Sequence, residues 1–290
     1  MRVLILGGDG MLGHRLFLHL RDRHEVQVTL RRPLEDYEEY GIFDRKDSYP
    51  EVDARDEDRL LEVMADSRPE AVVNAVGIVK QRDSAKAAIP SLEINALLPH
   101  RLAVMCRAAG ARLLHMSTDC VFSGRRGGYT EEDVSDAEDL YGRTKFLGEV
   151  AGPGCITLRT SIIGLELSRK GGLIEWFLAQ EGELRGFTRA IYTGLTTAEM
   201  SRVIERVLVE HRNLTGVWQV ASQPINKYDL LVCLAEILGR EDIRIVPDDS
   251  VKIDRSLSGL AFERATGYHA PGWNEMPREL GDEVRRRRGA

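Results

Sequence analysis

The sequence lacks long hydrophobic runs and any cluster of metal-binding residues. Its 290 residues include four cysteines, Cys106, Cys120, Cys155 and Cys233, with no short spacing between them and no histidine pair nearby. Metal sites need clustered ligands, and disulfide frameworks need many cysteines in a short chain, so neither is expected. No signal-peptide pattern precedes the first apolar segment, and no apolar run approaches the roughly 20 residues that cross a bilayer. We expect a cytoplasmic protein without a metal and without a membrane partner.

An excess of basic charge is also absent. The chain has 40 Lys and Arg against 46 Asp and Glu, which gives a formal net charge of −6. The basic residues are dispersed along the chain, so the sequence gives no reason to expect a nucleic-acid partner. An apolar content of 43% and a charged content of 30% are ordinary for a globular protein.

The first half of the chain alternates short apolar runs with helical patterns. Strands are predicted at "RVLIL", "EVQVTL", "EAVVNAV", "ARLLHMS" and "CITLRTS", with amphipathic helices between them. This alternation predicts an α/β fold: a Rossmann-type, doubly wound parallel sheet with right-handed crossovers. We predict a dinucleotide-binding domain over residues 1–165. A smaller α/β region over 166–290 would bind the substrate, with some of its segments returning to the first domain. The tail after "IRIVP" looks irregular.

Three glycines lie between the first predicted strand and the first helix. Gly7, Gly10 and Gly13 permit a tight turn, close approach of the backbone to a pyrophosphate, and close packing of the helix on the strand. The helix that begins at Met11 and Leu12 would present free N–H groups to the phosphates. The spacing in this position predicts dinucleotide binding.

The end of the second strand bears on which dinucleotide is bound. NAD sites carry an acidic residue there to hold the ribose 2′-hydroxyl. Here the chain reads Thr29, Leu30, Arg31, Arg32, and no carboxylate appears before Glu35. Because two guanidiniums can hold a 2′-phosphate, Arg31 and Arg32 favour NADP(H), with NAD(H) still possible. The alternative is an arginine pair that only closes the strand in solvent.

The stretch "DLYGRTKFLGE" places Tyr141 four residues before Lys145. On a helix these side chains share one face, and a nearby cation lowers the pKa of a phenol. The spacing alone is weak evidence, because a tyrosine packed on a lysine stem is common. Ser117, Thr118 and Asp119 end a predicted strand, at the edge where open α/β sheets bind ligands.

Taken together, these motifs resemble the extended short-chain dehydrogenase/reductases, and most closely the dTDP-4-dehydrorhamnose reductase family. The resemblance is carried, in order over about 165 residues, by "GGDGMLG", "VVNAVG", "INALLPHRLA", "STDCVFSG", "YTEED", "YGRTKFLGE" and "LRTS". It implies that Tyr141 protonates the substrate oxygen, Thr118 hydrogen-bonds it, and Lys145 holds the nicotinamide ribose. It also implies that the cofactor is flanked by Asp53, Ala54, Ala75, Val76 and Gly77. Asn95 matches a family asparagine, for which helix capping or packing is an equal alternative.

The resemblance implies reduction of a nucleotide-linked 4-keto-6-deoxy sugar, joined to dTDP or UDP. Departures from the family in "GFTRAIYTGLTT" and in the tail leave the substrate open. The candidate substrate-binding residues are Asp119, Val121, Phe122, Lys170, Trp176, Arg185, Tyr192 and Arg255. A nucleotide-sugar epimerase and a non-catalytic NADP-binding regulatory subunit are the alternatives. Dehydration is disfavoured, because Cys120 stands where dehydratases carry a carboxylate. Family habit suggests a homodimer through the helix over residues 91–109 and the Tyr141 helix.

Overall fold

The computed structural model describes residues 1–79, 87–168 and 170–289. The chain divides into two compact units. Unit 1 comprises Met1–Thr118, Glu138–Arg159 and Ser201–Trp218. Unit 2 comprises Asp119–Ala137, Thr160–Met200 and Gln219–Ala290. Each unit is therefore assembled from three separate stretches of the chain, rather than from one side of a single boundary.

A seven-stranded sheet forms the centre of unit 1, which contains all of it except Thr160 and Gln219. Its strands are β1 (Arg2–Leu6), β2 (Glu25–Thr29), β3 (Ser48–Tyr49), β4 (Ala71–Asn74), β5 (Arg112–Thr118), β6 (Cys155–Thr160) and β11 (Gly216–Gln219). Their spatial order is β11-β6-β5-β4-β1-β2-β3. β1 pairs in parallel with both β2 and β4, β2 with β3, and β4 with β5. The order turns back at β1, as it does in a Rossmann-type fold, so the predicted fold class is confirmed.

The helices of this unit follow the strands in alternation. They are α1 (Met11–Leu20), α2 (Glu57–Ser67), α3 (Ala88–Ser91), α4 (Leu98–Ala109), α5 (Leu140–Leu147) and most of α7 (Thr197–Val209). A π-helical segment, Leu92–Leu97, joins α3 to α4. The predicted helix over 91–109 is thus one long helical stretch that widens at its beginning, a feature often found at functional sites.

One core of unit 1 packs helices α2 and α4 against the sheet. Leu4, Val72 and Leu113 come from three neighbouring strands, while Leu60 and Leu102 come from the two helices. These residues are all 1% exposed or less. The sheet strands read as continuous apolar runs because helices cover both faces, which is the pattern expected of parallel sheets.

Unit 2 is built from short strands and helices. Its strands are β7 (Ile162–Ile163), β8 (Gly182–Phe187), β9 (Ala190–Tyr192), β10 (Leu195–Thr196), β12 (Ile225–Asn226), β13 (Ile243–Asp248) and β14 (Ile253–Asp254). They form three small sheets, β10-β7, β12-β9-β14 and β13-β8. The helices are α6 (Leu173–Leu178), α8 (Lys227–Leu238), α9 (Leu260–Thr266) and α10 (Met276–Gly289). Phe177, Leu184, Leu231 and Ile243 lie in its hydrophobic core.

The expectation of an irregular tail is wrong, because α9 and α10 both lie there. In α10 the side chains of Met276, Leu280 and Val284 are buried at a spacing of four residues. In the sequence this narrow apolar stripe is hard to detect, because charged residues surround it. The four-residue spacing nevertheless places all three side chains on one face of the helix. Leu280 belongs to the hydrophobic core of unit 2, so tertiary packing stabilises a helix that is otherwise strongly polar.

The described residues contain no helix long and apolar enough to cross a membrane. Within the same residues, no group of three or more His, Cys, Asp or Glu side chains is placed to hold a metal ion. The four cysteines are free thiols, and burial raises the pKa of Cys106 to about 12.

Candidate active site

The helix α5 places Tyr141 and Lys145 one turn apart at the edge of the sheet. Asp139 caps the helix, because its Oδ1 accepts a hydrogen bond from the Gly142 N–H at 2.8 Å. The opposite end closes at Gly148, where an added Cβ would lie 1.9 Å from the Asn95 carbonyl oxygen. Only glycine permits this close approach of α5 to the π-helical segment. The position of the Tyr141 helix is therefore fixed at both ends.

Lys145 is buried, and its amino group points into unit 1. Its Nζ donates to the Met116 carbonyl oxygen at 2.5 Å and lies 3.4 Å from Nε2 of His115. Both partners belong to β5, which ends at Thr118, itself only 6% exposed. Burial lowers the pKa of Lys145 to about 8, with the Glu149 carboxylate acting in the opposite direction. Desolvation disfavours the ammonium form, so this lysine titrates much nearer neutrality than a surface lysine.

Behind the strand β5 lies a buried ion pair. Arg159 donates from Nε and Nη2 to the two carboxylate oxygens of Glu149, each at 2.8 Å, and Ser117 Oγ donates to the same carboxylate at 2.7 Å. Both charged side chains are 5% exposed. The pair links β5 and β6 to the chain two residues beyond the end of α5, and removing either partner would leave a buried charge alone.

Asn95 lies in the π-helical segment and clamps the loop that follows β4. Its Oδ1 accepts from the Ile78 N–H at 2.9 Å, and its Nδ2 donates to the Ile78 carbonyl oxygen at 3.0 Å. The same amide group lies 3.3 Å from Thr144 Oγ1 on α5. The side chain thus joins α5 to the chain just beyond Ala75, Val76 and Gly77. This contact favours the packing alternative for Asn95.

Gly7, Gly10 and Gly13 form a tight turn between β1 and α1. Gly7 has a φ of +83°, and a Cβ on Gly13 would meet its carbonyl oxygen at 2.0 Å. Gly10 N–H donates to the Gly7 carbonyl oxygen at 3.0 Å, and α1 begins at Met11 and Leu12. In the part of the chain that the structure describes, no side chain caps α1 at Gly10. The first-turn N–H groups are therefore available to a phosphate.

The end of β2 carries the two predicted cofactor arginines on the surface. Arg31 and Arg32 are exposed, and Arg32 Nη1 lies 3.9 Å from Asp36 Oδ2. Asp53 is bonded to Arg55, which lowers the pKa of that carboxyl to about 2, with a smaller contribution from Arg31. Asp53 and its neighbour Ala54 follow β3, the strand that pairs with β2. Arg31 and Asp53 therefore lie close enough for the charge of Arg31 to act on the Asp53 carboxylate.

The predicted substrate residues all lie in unit 2, where they form two groups and three isolated positions. Phe122 stacks on Tyr129 with ring centroids 4.2 Å apart, and Arg255 Nε donates to the Phe122 carbonyl oxygen at 2.9 Å. Val121, in the same turn as Phe122, is fully buried. The second group consists of the predicted residues Tyr192 and Asp119, with Lys227 beside them. Lys227 Nζ lies 5.4 Å from the Tyr192 ring centroid. Burial raises the pKa of Tyr192 and lowers that of Lys227, while the negative charge of Asp119 acts to raise the pKa of both.

The three isolated positions are exposed. Trp176 is 40% exposed on α6, and Lys170 is exposed with a φ of +46°. Arg185 lies on β8 with its Nη1 3.6 Å from Asp248 Oδ2. These residues sit on separate elements of unit 2 and are not assembled with the two groups above.

Three residues around Lys145 escaped the sequence predictions: His115 and Glu149, which act on Lys145 directly, and Asn74, which contacts His115. Each is polar and buried or half-buried, which is an unusual place for such side chains. The sequence carries one signal, because Asn74 and His115 each lie near the end of an apolar strand, where a polar residue is unexpected. Only the register of β4 on β5 shows that the two are paired.

A Rossmann-type sheet with a Thr at the end of β5 and a Tyr-x-x-x-Lys pair on the next helix defines the extended short-chain dehydrogenase/reductase class. The chain belongs to the family described as RmlD substrate binding domain, whose model matches residues 1–170.

The relatives that the chain resembles carry names of two kinds, a reductase and a subunit. The chain is 32% identical over 151 residues to dTDP-4-keto-6-deoxy-D-glucose reductase of Streptomyces niveus, covering 52% of this chain and 46% of the relative. It is 30% identical over 152 residues to methionine adenosyltransferase 2 subunit beta of Rattus norvegicus, covering 52% and 42%. The chain thus spans less than half the length of both relatives.

A solved structure resembles nearly the whole chain. The dTDP-4-dehydrorhamnose reductase from Bacillus anthracis, in complex with NADP, has a TM-score of 0.77 and 20% identity over 98% of this chain and 99% of the other. At that level of identity the likeness concerns the fold.

Proposed function

We propose that the protein is an NADPH-dependent reductase of a nucleotide-linked keto sugar, most simply a 4-keto-6-deoxy sugar. The observation that carries the proposal is the Tyr141–Lys145 pair on a capped helix beside the strand that ends in Thr118. The Streptomyces niveus relative is named as a reductase of such a sugar, and the Bacillus anthracis structure contains NADP. Both support the reaction class and the cofactor.

The reaction needs a hydride for the carbonyl carbon and a proton for its oxygen. Bound NADPH would supply the hydride. In this proposal Tyr141 donates the proton and Thr118 donates a hydrogen bond to the same oxygen. Lys145 in its charged form stabilises the tyrosinate left behind, because opposite charges attract strongly at a buried site. Its lowered pKa also lets it exchange a proton near neutral pH.

The cofactor is proposed to lie along the carboxyl edge of the sheet. Gly7, Gly10 and Gly13 would hold its pyrophosphate at the start of α1. The chain at Ala75–Gly77 would flank it, and Asp53 with Ala54 would lie near the adenine. Two contacts support this placement. The backbone of Gly13 approaches that of Gly7 closely, and Asn95 is hydrogen-bonded to Ile78, next to Ala75–Gly77.

We expect NADPH to bind more tightly than NADH because Arg31 and Arg32 stand where NAD sites carry a carboxylate. Replacing both arginines by alanine should lower the affinity for NADPH by about 10-fold or more, because hydrogen bonds to charged groups contribute about 1.5–3 kcal/mol each. NADH affinity should change little. Fluorescence titration of both cofactors measures this, with Arg107→Ala, an exposed arginine on α4, as the matched control. Equal affinities of the wild type for the two cofactors would contradict the prediction.

Unit 2 is proposed to bind the sugar nucleotide. Arg255 offers a guanidinium that could hold a diphosphate, and its Nε donates to the Phe122 carbonyl oxygen. The rings of Phe122 and Tyr129 are buried against each other, so they would support this position and would not stack on a base. Lys227 and Tyr192 offer a second cation with an aromatic face. Lys170, Trp176 and Arg185 remain candidates on separate elements.

The function is tested by measuring NADPH oxidation against a panel of dTDP- and UDP-linked keto sugars. A gain of two hydrogens by mass spectrometry identifies reduction and separates it from epimerisation, which leaves the mass unchanged. Calorimetry with UDP and dTDP, on the wild type and on Arg255→Ala, tests the diphosphate contact. Reduction of small unphosphorylated ketones, together with no binding of either nucleotide when NADP is present, would overturn the sugar-nucleotide proposal.

A non-catalytic subunit is the second candidate, because one relative is named as a subunit of methionine adenosyltransferase 2. The retention of Thr118, Tyr141 and Lys145 favours the enzyme. Tight NADP binding with no turnover of any panel member would favour the subunit.

We also propose a homodimer. Exposed apolar side chains are concentrated on α3, α4 and α5 of unit 1, with Ile89 71%, Val104 57% and Leu147 56% exposed. Apolar residues that share one region of a surface commonly mark an interface. A monomer mass by sedimentation at micromolar concentration would contradict this proposal.

A further inference from the structure

Four polar groups form a continuous chain of close contacts from the loop after β4 to the amino group of Lys145. Val76 N–H donates to Asn74 Oδ1 at 3.1 Å, and Asn74 Nδ2 lies 3.1 Å from His115 Nδ1. His115 Nε2 lies 3.4 Å from Lys145 Nζ, which donates in turn to the Met116 carbonyl oxygen. Asn74 and His115 are both fully buried, and they are direct partners in the β4–β5 register.

The donor and the acceptor of each hydrogen bond in this chain follow from the bond between the Val76 N–H and Asn74. A backbone N–H can only donate, so the Val76 N–H fixes the oxygen of the Asn74 amide on its own side. The Asn74 NH₂ group therefore faces His115, and the His115 Nδ1 must accept. A neutral imidazole with an accepting Nδ1 carries its proton on Nε2. Burial and the charge of Lys145 both lower the pKa of His115, which keeps the ring neutral.

The resulting Nε2–H points at Lys145. An ammonium group has three donors and no lone pair, so it cannot accept this hydrogen bond, whereas an uncharged amine can. Hydrogen bonding to the neutral form of a group favours that form. The other charged group acting on Lys145 is the Glu149 carboxylate. The charge of Glu149 favours the ammonium but is shared with Arg159.

We propose that His115 is a positioning residue whose Nε2–H, oriented by Asn74, shifts the protonation equilibrium of Lys145 toward the uncharged amine. The significance of this for catalysis rests on the proposed reductase function. After Tyr141 has given its proton to the substrate oxygen, the tyrosinate must regain one. If Lys145 supplies it, an N–H bond of the ammonium breaks and the phenolic O–H forms. The uncharged amine that remains accepts the His115 hydrogen bond until a solvent proton restores the ammonium.

The tautomer of His115 can be read directly by ¹⁵N NMR on histidine-labelled protein. The chain has seven histidines, so His115→Leu assigns the signal. We expect the neutral ring with its proton on Nε2 from pH 6 upward. A ring protonated on Nδ1, or an imidazolium in that range, would overturn the proposal. The spectrum requires no turnover, so it separates failure of this proposal from failure of the proposed function.

The effect on Lys145 is measured by ¹³Cε NMR titration of lysine-labelled protein. His115→Leu keeps the site apolar and removes the donor, so the Lys145 pKa should rise by up to about one unit, the size of one hydrogen bond. His269→Leu, whose side chain is 74% exposed, is the matched control and should leave that pKa unchanged. A Lys145 pKa that stays the same or falls in His115→Leu would overturn the proposal.

Asn74→Asp provides a second variant if His115→Leu does not fold. A carboxylate accepts from both the Val76 N–H and the imidazole, so the ring proton should move to Nδ1 and Nε2 should present a lone pair to Lys145. The Lys145 pKa should then rise further than in His115→Leu, and the fall of activity at high pH should shift upward with it. An unchanged tautomer and an unchanged Lys145 pKa in this folded variant would count decisively against the proposal.

Discussion

Replacing Tyr141 by phenylalanine is expected to lower turnover by about 10²–10⁴-fold, the usual contribution of a general acid, which is the role we propose for Tyr141. The substitution removes one hydroxyl group from α5 and keeps the aromatic ring. The Asp139 cap and the Gly148–Asn95 contact, which fix the helix, do not involve that hydroxyl. The affinity for NADPH should therefore stay close to that of the wild type. Steady-state kinetics on an accepted keto sugar, with a parallel fluorescence titration of the cofactor, measure both quantities.

Tyr49→Phe is the matched control for this variant. It also removes one phenolic hydroxyl, which donates to Asp66 Oδ2 at 2.6 Å, but it lies on the edge strand β3 outside the proposed catalytic set. Its turnover should remain within about twofold of the wild type, as expected for a residue remote from the chemistry. Turnover of Tyr141→Phe similar to that of Tyr49→Phe would show that the proton comes from another group.

Much of the fold of unit 1 could be predicted because its elements carry strong local patterns. The strand β1, the glycine turn and α1 follow each other in 20 residues, and the steric reason for Gly13 is visible in the 2.0 Å approach to Gly7. Apolar runs of parallel strands and the four-residue spacing of helices need no knowledge of distant residues.

The elements that escaped prediction depend on distant contacts. The helix α10 buries the side chains of Met276, Leu280 and Val284, and their burial depends on packing in unit 2 rather than on the composition of the helix. Likewise, Ser201–Trp218 belongs to unit 1 although it comes late in the chain. The reason is strand pairing, since β11 lies beside β6 at the edge of the sheet. Strand order is a property of the whole sheet and has no local signature.

The same distinction applies to the candidate site. Tyr141 and Lys145 are four residues apart, so their proximity follows from helix geometry alone. His115 is 41 residues from Asn74 and 30 from Lys145, and its contacts exist only because β4 pairs with β5 in one register. The direction of the hydrogen bonds depends in turn on a single backbone N–H, at Val76. Such information is absent from the composition of any one segment.

Replacing Lys145 by methionine is expected to abolish the proposed reductase activity and, at neutral pH, to stabilise the protein. The folded-state pKa of this fully buried lysine is about 8, against 10.5 for an unperturbed lysine. Each pKa unit corresponds to 1.36 kcal/mol, so burial of the ammonium costs roughly 3 kcal/mol. Methionine has a similar length and no charge, but it leaves the Met116 carbonyl oxygen without this donor, at a cost of about 1 kcal/mol. A net gain of about 2 kcal/mol in the free energy of unfolding is expected at pH 7.

The pH dependence of that gain identifies its cause. Below pH 8 the lysine is protonated in both the folded and the unfolded wild type, so the wild type bears the full cost. Between pH 8 and 10.5 the unfolded chain binds more protons than the folded one, and the stability of the wild type rises relative to the variant. The advantage of Lys145→Met should therefore be greatest at pH 7 or below and should disappear as the pH approaches 10.5. Urea unfolding of both proteins at pH 6.5, 8 and 9.5 measures this difference.

Lys46→Met, at an exposed position, is the matched control and should show no such trend. A stability difference between Lys145→Met and the wild type that is constant across these pH values would show that lost packing, rather than the buried charge, governs this position.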